Sequence, residues 1–481
     1  MVDIHHRHFF RICVWVLLGS IVFVLLHSSP TVALTKEGIT PQVIFARPGD
    51  TVVFRSMRHA RFWPITINNS SLKLDSVKPI AAHQLRSIVI PTAGQWWFVN
   101  RFGPRYSRET GLLIVSQEGS QKIDPERLCH DAFDGSDFCI EWQLRRQIKK
   151  GGIALAMVEF QKRYAEEPAF RLRCNDYTRR IGGIAYKLGR PIREIVASDS
   201  LSFCNFGFLI GYVDALFALG AGQQAAVGFC NQIKQKTTVA KHAYMECIKS
   251  IGQALVEEYH VSLRSQFVAE VAYATGACER IAQSQSEKNI CIIGVMSGVA
   301  ADYQAAQKKQ HGEDSAFALC DAVAELYQPH CFGGMAGMMI YSGMETFESA
   351  FEKVPEIRNR EGQIRATRAI AKISYNKEHG GDDVFVEGCR RLPNYLSTQC
   401  FISLVQGAIE LGKPGKEYED GFTFCRNNRL TAKEQKLCVQ FVLYDVADVL
   451  YGKEKVVFLC SQFDSSWREH CKDYEQDFFS L

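Results

Sequence analysis

The cysteines restrict the fold of this chain more than any other feature of its sequence. The 481 residues include 17 cysteines; Cys13 lies in an apolar N-terminal stretch, and the other 16 all follow residue 128. An even, spaced set of this kind predicts a disulfide framework, most simply between sequence neighbours. Reduced structural thiols are the alternative, since the sequence lacks the short Cys-x2–4-Cys clusters of zinc sites. The predicted pairs are Cys129 with Cys139, Cys174 with Cys204, Cys230 with Cys247, Cys278 with Cys291, Cys320 with Cys331, Cys389 with Cys400, Cys425 with Cys438, and Cys460 with Cys471.

The segments around the last six cysteine pairs are similar to one another. Each places one cysteine near the end of an apolar segment and another 11 to 17 positions later, where the next segment begins. The first cysteines follow one another at intervals of 48, 42, 69, 36 and 35 residues. These periods predict stacked helical hairpins, an all-α, α-solenoid-like repeat domain over residues 129–481. A disulfide that closes such a hairpin contributes about 3 kcal/mol in the chain-entropy model.

A different pattern, typical of β-structure, covers residues 40 to 116. Six short β-branched and aromatic segments alternate there with turn signals: 43–46, 51–56, 62–67, 85–90, 95–100 and 111–115. Six strands within about 75 residues predict a small all-β Greek-key sandwich or barrel. The predicted organisation is therefore multidomain, with an N-terminal segment 1–34, a β-domain 36–117, a linker 118–128 and the helical domain 129–481.

The N-terminal segment predicts export. Arg7, His8 and Arg11 precede an apolar run from Ile12 to Leu26, and a small-residue site ends at Ala33. This pattern is typical of a secretory signal peptide. The run is also nearly long enough for an uncleaved transmembrane anchor, and this alternative stays open. Both alternatives predict an extracytoplasmic protein, whether periplasmic, at the cell surface or secreted.

Composition and motifs exclude several functional classes. The net charge of +4 is small for this length and no basic block stands out, so no nucleic-acid partner is expected. The sequence has no H-E-x-x-H, G-x-S-x-G, P-loop or C-x-x-C motif, which favours a protein that is not an enzyme. A catalytic site can be assembled without a local motif, so an enzyme in the helical domain stays an alternative.

Two glycine-rich stretches have structural explanations. The glycines at 220 and 222 match a dinucleotide fingerprint poorly, because a helical segment precedes them. They predict the end of one helix and the start of the next. The glycines and methionines of 333–339 could form a flexible binding face, but small residues at helical spacing favour close helix packing.

The β-domain resembles cupredoxins, and more narrowly a set of bacterial cupredoxin-like domains. The resemblance rests on the turn and strand 48–54 (PGDTVVF), on Phe62-Trp63-Pro64, and on 94–98 (GQWWF) followed by 111–115 (GLLIV). It covers about 80 residues and implies a Greek-key β-sandwich. The relatives carry histidines after the FWP motif and after the G-x-W strand; this chain has Asn68, Asn69 and Ser70, then Val99, Asn100 and Arg101.

The metal ligands of the cupredoxin family are therefore missing. A blue-copper centre needs two imidazoles and a thiolate. The β-domain has no cysteine, and its histidines are His59 and His83. We predict no metal and no cofactor. The alternative is copper binding or electron transfer with non-standard ligands, such as His59 with His83, or His130.

The helical region loosely resembles cysteine-rich helical domains that follow such cupredoxins. Those domains carry C-H-x3-H and C-x-x-G-x-x-H patterns next to their cysteines. In this chain the cysteines and glycines match, but Asn175, Arg179 and Ile210 stand where histidines would. The resemblance thus implies a scaffold whose ligand positions have changed in both domains.

We expect from these observations an exported, non-catalytic interaction protein, whose partner is an unidentified protein or a cell-surface polymer. In the β-domain the expected contact surface is the rim where a cupredoxin binds copper. This predicted rim is rich in arginine and aromatic residues, which are enriched in binding hot spots. Its members are His59, Arg61, Trp63, Trp97, Arg101 and Arg105.

Overall fold

The computed structural model of the chain describes most of the helical region and a smaller part of the β-region. The described residues are 30–35, 38–40, 43–56, 64–67, 80, 83–90, 93–100, 110–115, 129, 137–171, 173–191, 194, 199–236, 240–259, 267–310, 317–341, 343–378, 382–410, 412–413, 415–447, 453–463, 467–469 and 471. Contacts divide the chain into two units, Met1–Trp142 and Gln143–Leu481.

The first unit contains two four-stranded sheets. Its strands are β1 (Thr31–Thr35), β2 (Gly38–Thr40), β3 (Val43–Ala46), β4 (Thr51–Ser56), β5 (Pro64–Ile67), β6 (Leu85–Val89), β7 (Gly94–Asn100) and β8 (Thr110–Val115). One sheet has the order β2-β1-β4-β6 and the other β3-β8-β7-β5. The pairs β1/β4 and β3/β8 are parallel, and the other pairs are antiparallel. Each of the six predicted segments overlaps one of β3 to β8.

The two sheets share one hydrophobic core. Burial alternates along β3 and β4, because successive side chains of a strand point to opposite faces. The rings of Phe54 on β4 and Phe98 on β7 meet edge to face, with centroids 5.4 Å apart. Val32 on β1 is fully buried in the same core. The sequence pattern did not predict β1 and β2, because β1 follows the apolar N-terminal stretch closely and β2 has only three residues.

The second unit is helical. Its first half contains the end of α1 (Asp137–Glu166), then α2 (Pro168–Arg171), α3 (Cys174–Lys187), α4 (Phe203–Ala218), α5 (Gly222–Lys236), α6 (Ala240–Tyr259), α7 (Phe267–Ile281), α8 (Gln285–Gln310), α9 (Ala318–Asp321) and α10 (Gln328–Tyr341). The second half contains α11 (Phe347–Lys353), α12 (Arg360–Glu378), α13 (Asp382–Arg390), α14 (Asn394–Glu410), α15 (Glu417–Cys425), α16 (Ala432–Asp445) and α17 (Lys453–Gln462). The break between α4 and α5 falls at Gly220 and Gly222, both with a φ of 76°, as predicted.

The helices form a hairpin repeat, which confirms the predicted architecture of this region. The longer helices α4, α6, α8, α10, α12 and α14 pack side by side in chain order. The shorter helices α5, α7, α9, α11 and α13 each pack against the long helix that follows them. Every long helix therefore touches its two neighbours and its own hairpin partner, as in a solenoid.

All eight predicted disulfides are present, each between sequence neighbours. In the repeats the first cysteine lies near the end of a short helix and the second near the start of the long one, for example Cys278 of α7 and Cys291 of α8. The bonds join Cys129 to Cys139, Cys174 to Cys204, Cys230 to Cys247, Cys278 to Cys291, Cys320 to Cys331, Cys389 to Cys400, Cys425 to Cys438, and Cys460 to Cys471.

These bonds bear on where the protein resides. Eight disulfides indicate an oxidising, extracytoplasmic environment. Within the described ranges no helix is long and apolar enough to cross a bilayer. The predicted signal or anchor sequence, up to residue 29, lies outside them.

One hairpin has no disulfide, and it explains the irregular 69-residue interval. Helices α11 and α12 form a complete hairpin between the disulfide that ends at Cys331 and the one that begins at Cys389. A capping box in which Thr346 and Ser349 bond each other's backbone N–H groups starts α11. Phe347 of α11 packs against Phe351 and against Phe385 of the next hairpin. Aromatic packing thus holds this repeat in place of a covalent link.

Glycines bring α6 and α8 into backbone contact. A Cβ atom added to Gly252 of α6 would lie 1.9 Å from the carbonyl oxygen of Cys291, and one added to Gly294 of α8 would lie 1.9 Å from that of Lys249. The predicted packing role of the glycines at 333–337 is also confirmed, since a Cβ on Gly337 would lie 2.7 Å from Ile373 of α12.

Gly252→Ala is expected to lower the free energy of unfolding by about 1–3 kcal/mol, because the added methyl group would push two helix backbones apart. Urea denaturation with intact disulfides measures this change. Gly228→Ala is the matched control: Gly228 lies in α5, and its Cβ position is open. That variant should be stabilised by about 0.5–1 kcal/mol through helix propensity. Equal effects at both positions would contradict the close approach of α6 and α8.

Candidate functional site

The positions that carry histidines in the resembling helical domains have structural contacts here. Asn175 donates a hydrogen bond from Nδ2 to the carbonyl oxygen of Cys204, at 2.6 Å. Arg179 of α3 forms an ion pair with Asp214 of α4 at 2.8 Å, and their side chains are only 4% and 0% exposed. An arginine held by a buried carboxylate binds the two helices together. This arrangement is a structural bridge and leaves no imidazole for a metal.

The strongest candidate for a functional site is a group of ionisable side chains in the helical unit. We call it the central charged cluster. Its members come from helices that are far apart in sequence but interact electrostatically. They are His242, Glu246 and Lys249 of α6, Lys372 of α12, Glu410 of α14, Glu417 of α15 and Asp445 of α16.

The ion pair between Lys372 and Glu410 connects the parts of this cluster. Lys372 Nζ lies 3.1 Å from Glu410 Oε1, which also accepts a hydrogen bond from Gln406 Nε2 at 3.2 Å. The charge of Lys372 reaches Glu246 on one side and Asp445 on the other. Glu410 acts in the same way on Lys249 and Asp445. The pair therefore interacts electrostatically with residues of both α6 and α16.

On α6, three side chains one turn apart form the first part of the cluster. Lys249 donates to Glu246 at 2.9 Å, and His242 Nε2 lies 3.9 Å from the same carboxylate. Burial opposes the charge of Glu246, but Lys249, His242 and Lys372 outweigh it and hold the pKa below its usual value. Burial also opposes the charge of Lys249, and Glu246 and Glu410 together raise that pKa. For His242, burial is the main cause and lowers the pKa, so the imidazole is neutral at pH 7.

Asp445, at the end of α16, is the most perturbed acid of the cluster. Burial, followed by the negative charges of Glu410 and Glu417, raises its pKa to about 7, while Lys372 acts in the opposite direction. The residue is 7% exposed. Glu417, one of the two neighbouring acids, accepts a hydrogen bond from the backbone N–H of Gly415 at 3.1 Å.

Exposure differs between the members of the cluster. The side chains of His242, Lys249 and Lys372 are 31%, 26% and 25% exposed, whereas Asp445 is almost completely buried. The cluster is therefore partly accessible to water, on the side chains of α6 and α12.

The beginning of the helical unit helps to enclose this region. The hydroxyl group of Tyr164 on α1 donates a hydrogen bond to the carbonyl oxygen of Gly412, at 3.1 Å. Gly412 and Gly415 lie in the connection that leads to Glu417, and a Cβ atom on Gly415 would lie 3.9 Å from Phe203. Helices α1 and α4 thus contact the segment before α15, so the first helices of this unit meet one of its last hairpins.

The predicted contact rim of the β-region is mostly outside the described residues. The rim residues outside the described ranges are His59, Arg61, Trp63, Arg101 and Arg105. His130 is also outside them. Trp97 lies on β7, where its backbone pairs with Ile67 and Leu112. His83 is exposed and has a φ of 62°. Across the part of the chain that the structure describes, no three His, Cys, Asp or Glu residues form a group that could hold a metal ion.

No local sequence motif marks the central charged cluster, because its members come from five different helices. A weaker signal was present in the sequence. Asp445 interrupts the apolar segment FVLYDVADVL, and Glu246 lies within the apolar segment YMECI. Single charges inside apolar helical stripes indicate buried ionisable groups. Which of them face one another depends on the tertiary packing.

Comparisons with known proteins add little to this geometry. No family model matches the chain, and no curated protein matches it. Among solved structures, the chain is similar to a mutant of amicyanin in its reduced state, at 16% sequence identity. That similarity covers 19% of this chain and 84% of the amicyanin chain, with a TM-score of 0.17.

Proposed function

We propose that this chain is an exported, non-catalytic binding protein. Its N-terminal part is a metal-free, cupredoxin-like Greek-key β-sandwich, and its disulfide-linked helical repeat carries the binding surface. One observation carries the proposal: the long helices of consecutive hairpins pack side by side, and ionisable side chains of four hairpins form one partly exposed cluster. Repeat scaffolds of this kind present extended binding surfaces. Anchoring by the N-terminal segment is part of the proposal.

One observation supports the proposed β-sandwich, and another supports the proposal that it holds no blue-copper centre. Each sheet contains one parallel pair, β1/β4 in one and β3/β8 in the other, and the two sheets share the Phe54–Phe98 core. The absence of cysteine from residues 14 to 128 excludes a thiolate ligand within this stretch. The rim of this unit, including Trp97, remains our second proposed contact surface.

The partner can be identified by crosslinking from the central charged cluster. We expect a photo-crosslinking residue, p-benzoylphenylalanine, to give specific covalent products in intact cells when it replaces His242. His242 is suitable because its side chain is partly exposed and its ring already packs against the ring of Phe206, at 5.2 Å between centroids. Mass spectrometry of the products identifies the partner. The proposed partner class is a protein or a cell-surface polymer.

Val384 is the matched control position for this experiment. It lies on α13, is 58% exposed, and does not belong to the cluster. Products that form from position 242 and not from position 384 support the proposal. The same products from both positions, or none from position 242 in a folded, exported variant, contradict it.

A catalytic role is the second candidate, and one observation favours it. The pKa of about 7 for Asp445 is suited to a general acid or base at neutral pH. We favour binding because the hairpin repeat presents an extended surface, whereas a catalytic role rests on this one carboxyl group. A partner recovered with a broken or rearranged bond, by a route that requires Asp445, would favour catalysis.

A further inference from the structure

We propose that two arginines where α12 packs against α14, Arg360 and Arg368, bind carboxylate groups of an acidic peptide segment of a partner protein. We call this place, formed by the two arginines with Tyr395 and Gln399, the arginine junction. The inference rests on the proposed function, because it names the chemistry of a partner of the helical repeat. Arg368 lies one helical turn before Lys372, so the junction adjoins the central charged cluster on α12.

Side chains of α14 hold both guanidinium groups in place. The guanidinium carbon of Arg360 lies 4.8 Å from the centre of the Tyr395 ring. Arg368 donates to Gln399 Oε1 from Nε, at 2.7 Å, and from Nη2. Tyr395 and Gln399 are one turn apart and therefore lie on the same face of α14. Both arginines are exposed, so their guanidinium groups are oriented before a ligand arrives and stay open to it.

The hydroxyl group of Tyr395 fixes the ring under Arg360. It donates a hydrogen bond to Gln363 Oε1 at 2.5 Å, and Gln363 Nε2 donates to the carbonyl oxygen of Ile357 at 2.7 Å. These bonds connect α14 to α12 and to the segment before it. The aromatic face that supports the guanidinium group of Arg360 is therefore part of the packed scaffold.

The charges of the two arginines are not neutralised by a carboxylate among the described residues. Arg360 packs on a neutral ring, and the acceptor of Arg368 is a neutral amide. Arg365, between them in the sequence, pairs with Glu361 at 2.9 Å. Helix α12 carries three arginines and two lysines against two glutamates, an excess of three positive charges. The ligand that complements the junction is therefore an anion, and a carboxylate matches the planar fork of each guanidinium group.

The spacing and the neighbouring acids favour a short acidic peptide over a long polyanion. Helical positions eight residues apart are separated by about 12 Å along the axis, and side chains four residues apart on an extended peptide by about 13 Å. Two exposed acids, Glu356 and Glu361, lie just before α12 and in its first turn. They would repel the further charges of a sulfated or phosphorylated polymer.

Decaglutamate labelled with rhodamine is the probe, and decaglutamine with the same label is its uncharged analogue. Fluorescence anisotropy on the whole oxidised protein, at pH 7 and about 50 mM salt, measures binding. Decaglutamate should bind saturably, with a dissociation constant on the order of 0.1 mM, and decaglutamine should not. Arg368→Gln should weaken binding of decaglutamate about threefold to tenfold, because a charge-assisted hydrogen bond is lost. Arg368→Lys, which keeps the charge and loses the planar fork, should weaken it by a smaller factor.

Arg280→Gln is the matched control, since Arg280 is an exposed arginine of α7 and the change in net charge is the same. This variant should retain the affinity of the wild type. Equal weakening in the variants at positions 280 and 368, equal binding of decaglutamine, or no saturable binding of decaglutamate overturns the inference. A heparin fragment of equal charge that binds more tightly than decaglutamate, and depends on Arg368, would assign the junction to a polymer and overturn the peptide as ligand.

The outcome is separable from that of the crosslinking experiment. Failure of decaglutamate to bind, with specific crosslinks from position 242, would leave the proposed function standing and remove only the arginine junction. Failure of the crosslinks alone, with binding of decaglutamate that depends on Arg368, would leave the acidic-peptide site standing.

Discussion

Asp214→Asn is expected to lower the free energy of unfolding by about 3–5 kcal/mol, the largest loss we predict for a single substitution. The variant removes the negative charge and leaves the guanidinium group of Arg179, buried at 4% exposure, without this counter-ion. Urea denaturation at pH 7, with the disulfides intact, measures the loss.

Two comparisons identify the cause of that loss. The double variant Arg179→Met, Asp214→Leu should recover most of the stability, because replacing both charges by apolar side chains leaves no member of the pair charged and buried. Asp176→Asn, on α3 like Arg179, removes an acid that faces the partly exposed Arg173 at 3.7 Å. That change should cost no more than about 1 kcal/mol. A double variant as unstable as Asp214→Asn would show that the two residues do not act as a pair.

Asp445→Asn is expected to have the opposite effect and to stabilise the protein at alkaline pH. Burial and two neighbouring carboxylates raise the folded-state pKa from 3.8 to about 7. A raised acid pKa means that the wild type has its full stability below pH 4 and loses it progressively as pH rises from 4 through 7. The asparagine variant, always neutral here, should gain roughly 2–4 kcal/mol over the wild type at pH 8 and little at pH 4.

The quantity to measure is the difference in free energy of unfolding between the two proteins from pH 4 to pH 8.5, since other titrating groups cancel in that difference. Glu410→Gln removes one of the charges that raise the pKa of Asp445, so in this background the change should shift to lower pH. A difference that does not vary with pH, or a variant less stable at pH 8, would contradict the burial of Asp445 near Glu410 and Glu417.

The helical fold was predictable because its signals are local. Each hairpin repeats a cysteine at the end of one apolar segment and another at the start of the next, so the spacing alone predicted the pairing of Cys278 with Cys291. The hairpin of α11 and α12 was not recognised as a repeat, because it has no cysteines and its link is the packing of Phe347. The available signal was the 69-residue interval between Cys320 and Cys389, which is about twice the two intervals that follow it.

The candidate site was not predictable in the same way. Lys372 and Glu410 are 38 residues apart, and Asp445 is brought close to them by the packing of three successive hairpins. Sequence patterns give the face of a helix that is buried, but not which charged residue on another helix it meets. At Arg179, where the resembling domains carry a histidine, the structure has a buried ion pair. The candidate site is instead a charged cluster between helices, outside the predicted rim of the β-region.

The position of β1 has a consequence for the maturation of the protein. β1 lies between β2 and β4 in its sheet, and Val32 is buried in the core. A peptidase that cut after Ala33, the predicted small-residue site, would remove three of the five residues of β1 and detach β2 from the rest of the sheet. Cleavage at that site is therefore incompatible with the first sheet. If the predicted leader is removed, a cut that leaves this sheet intact lies before Thr31.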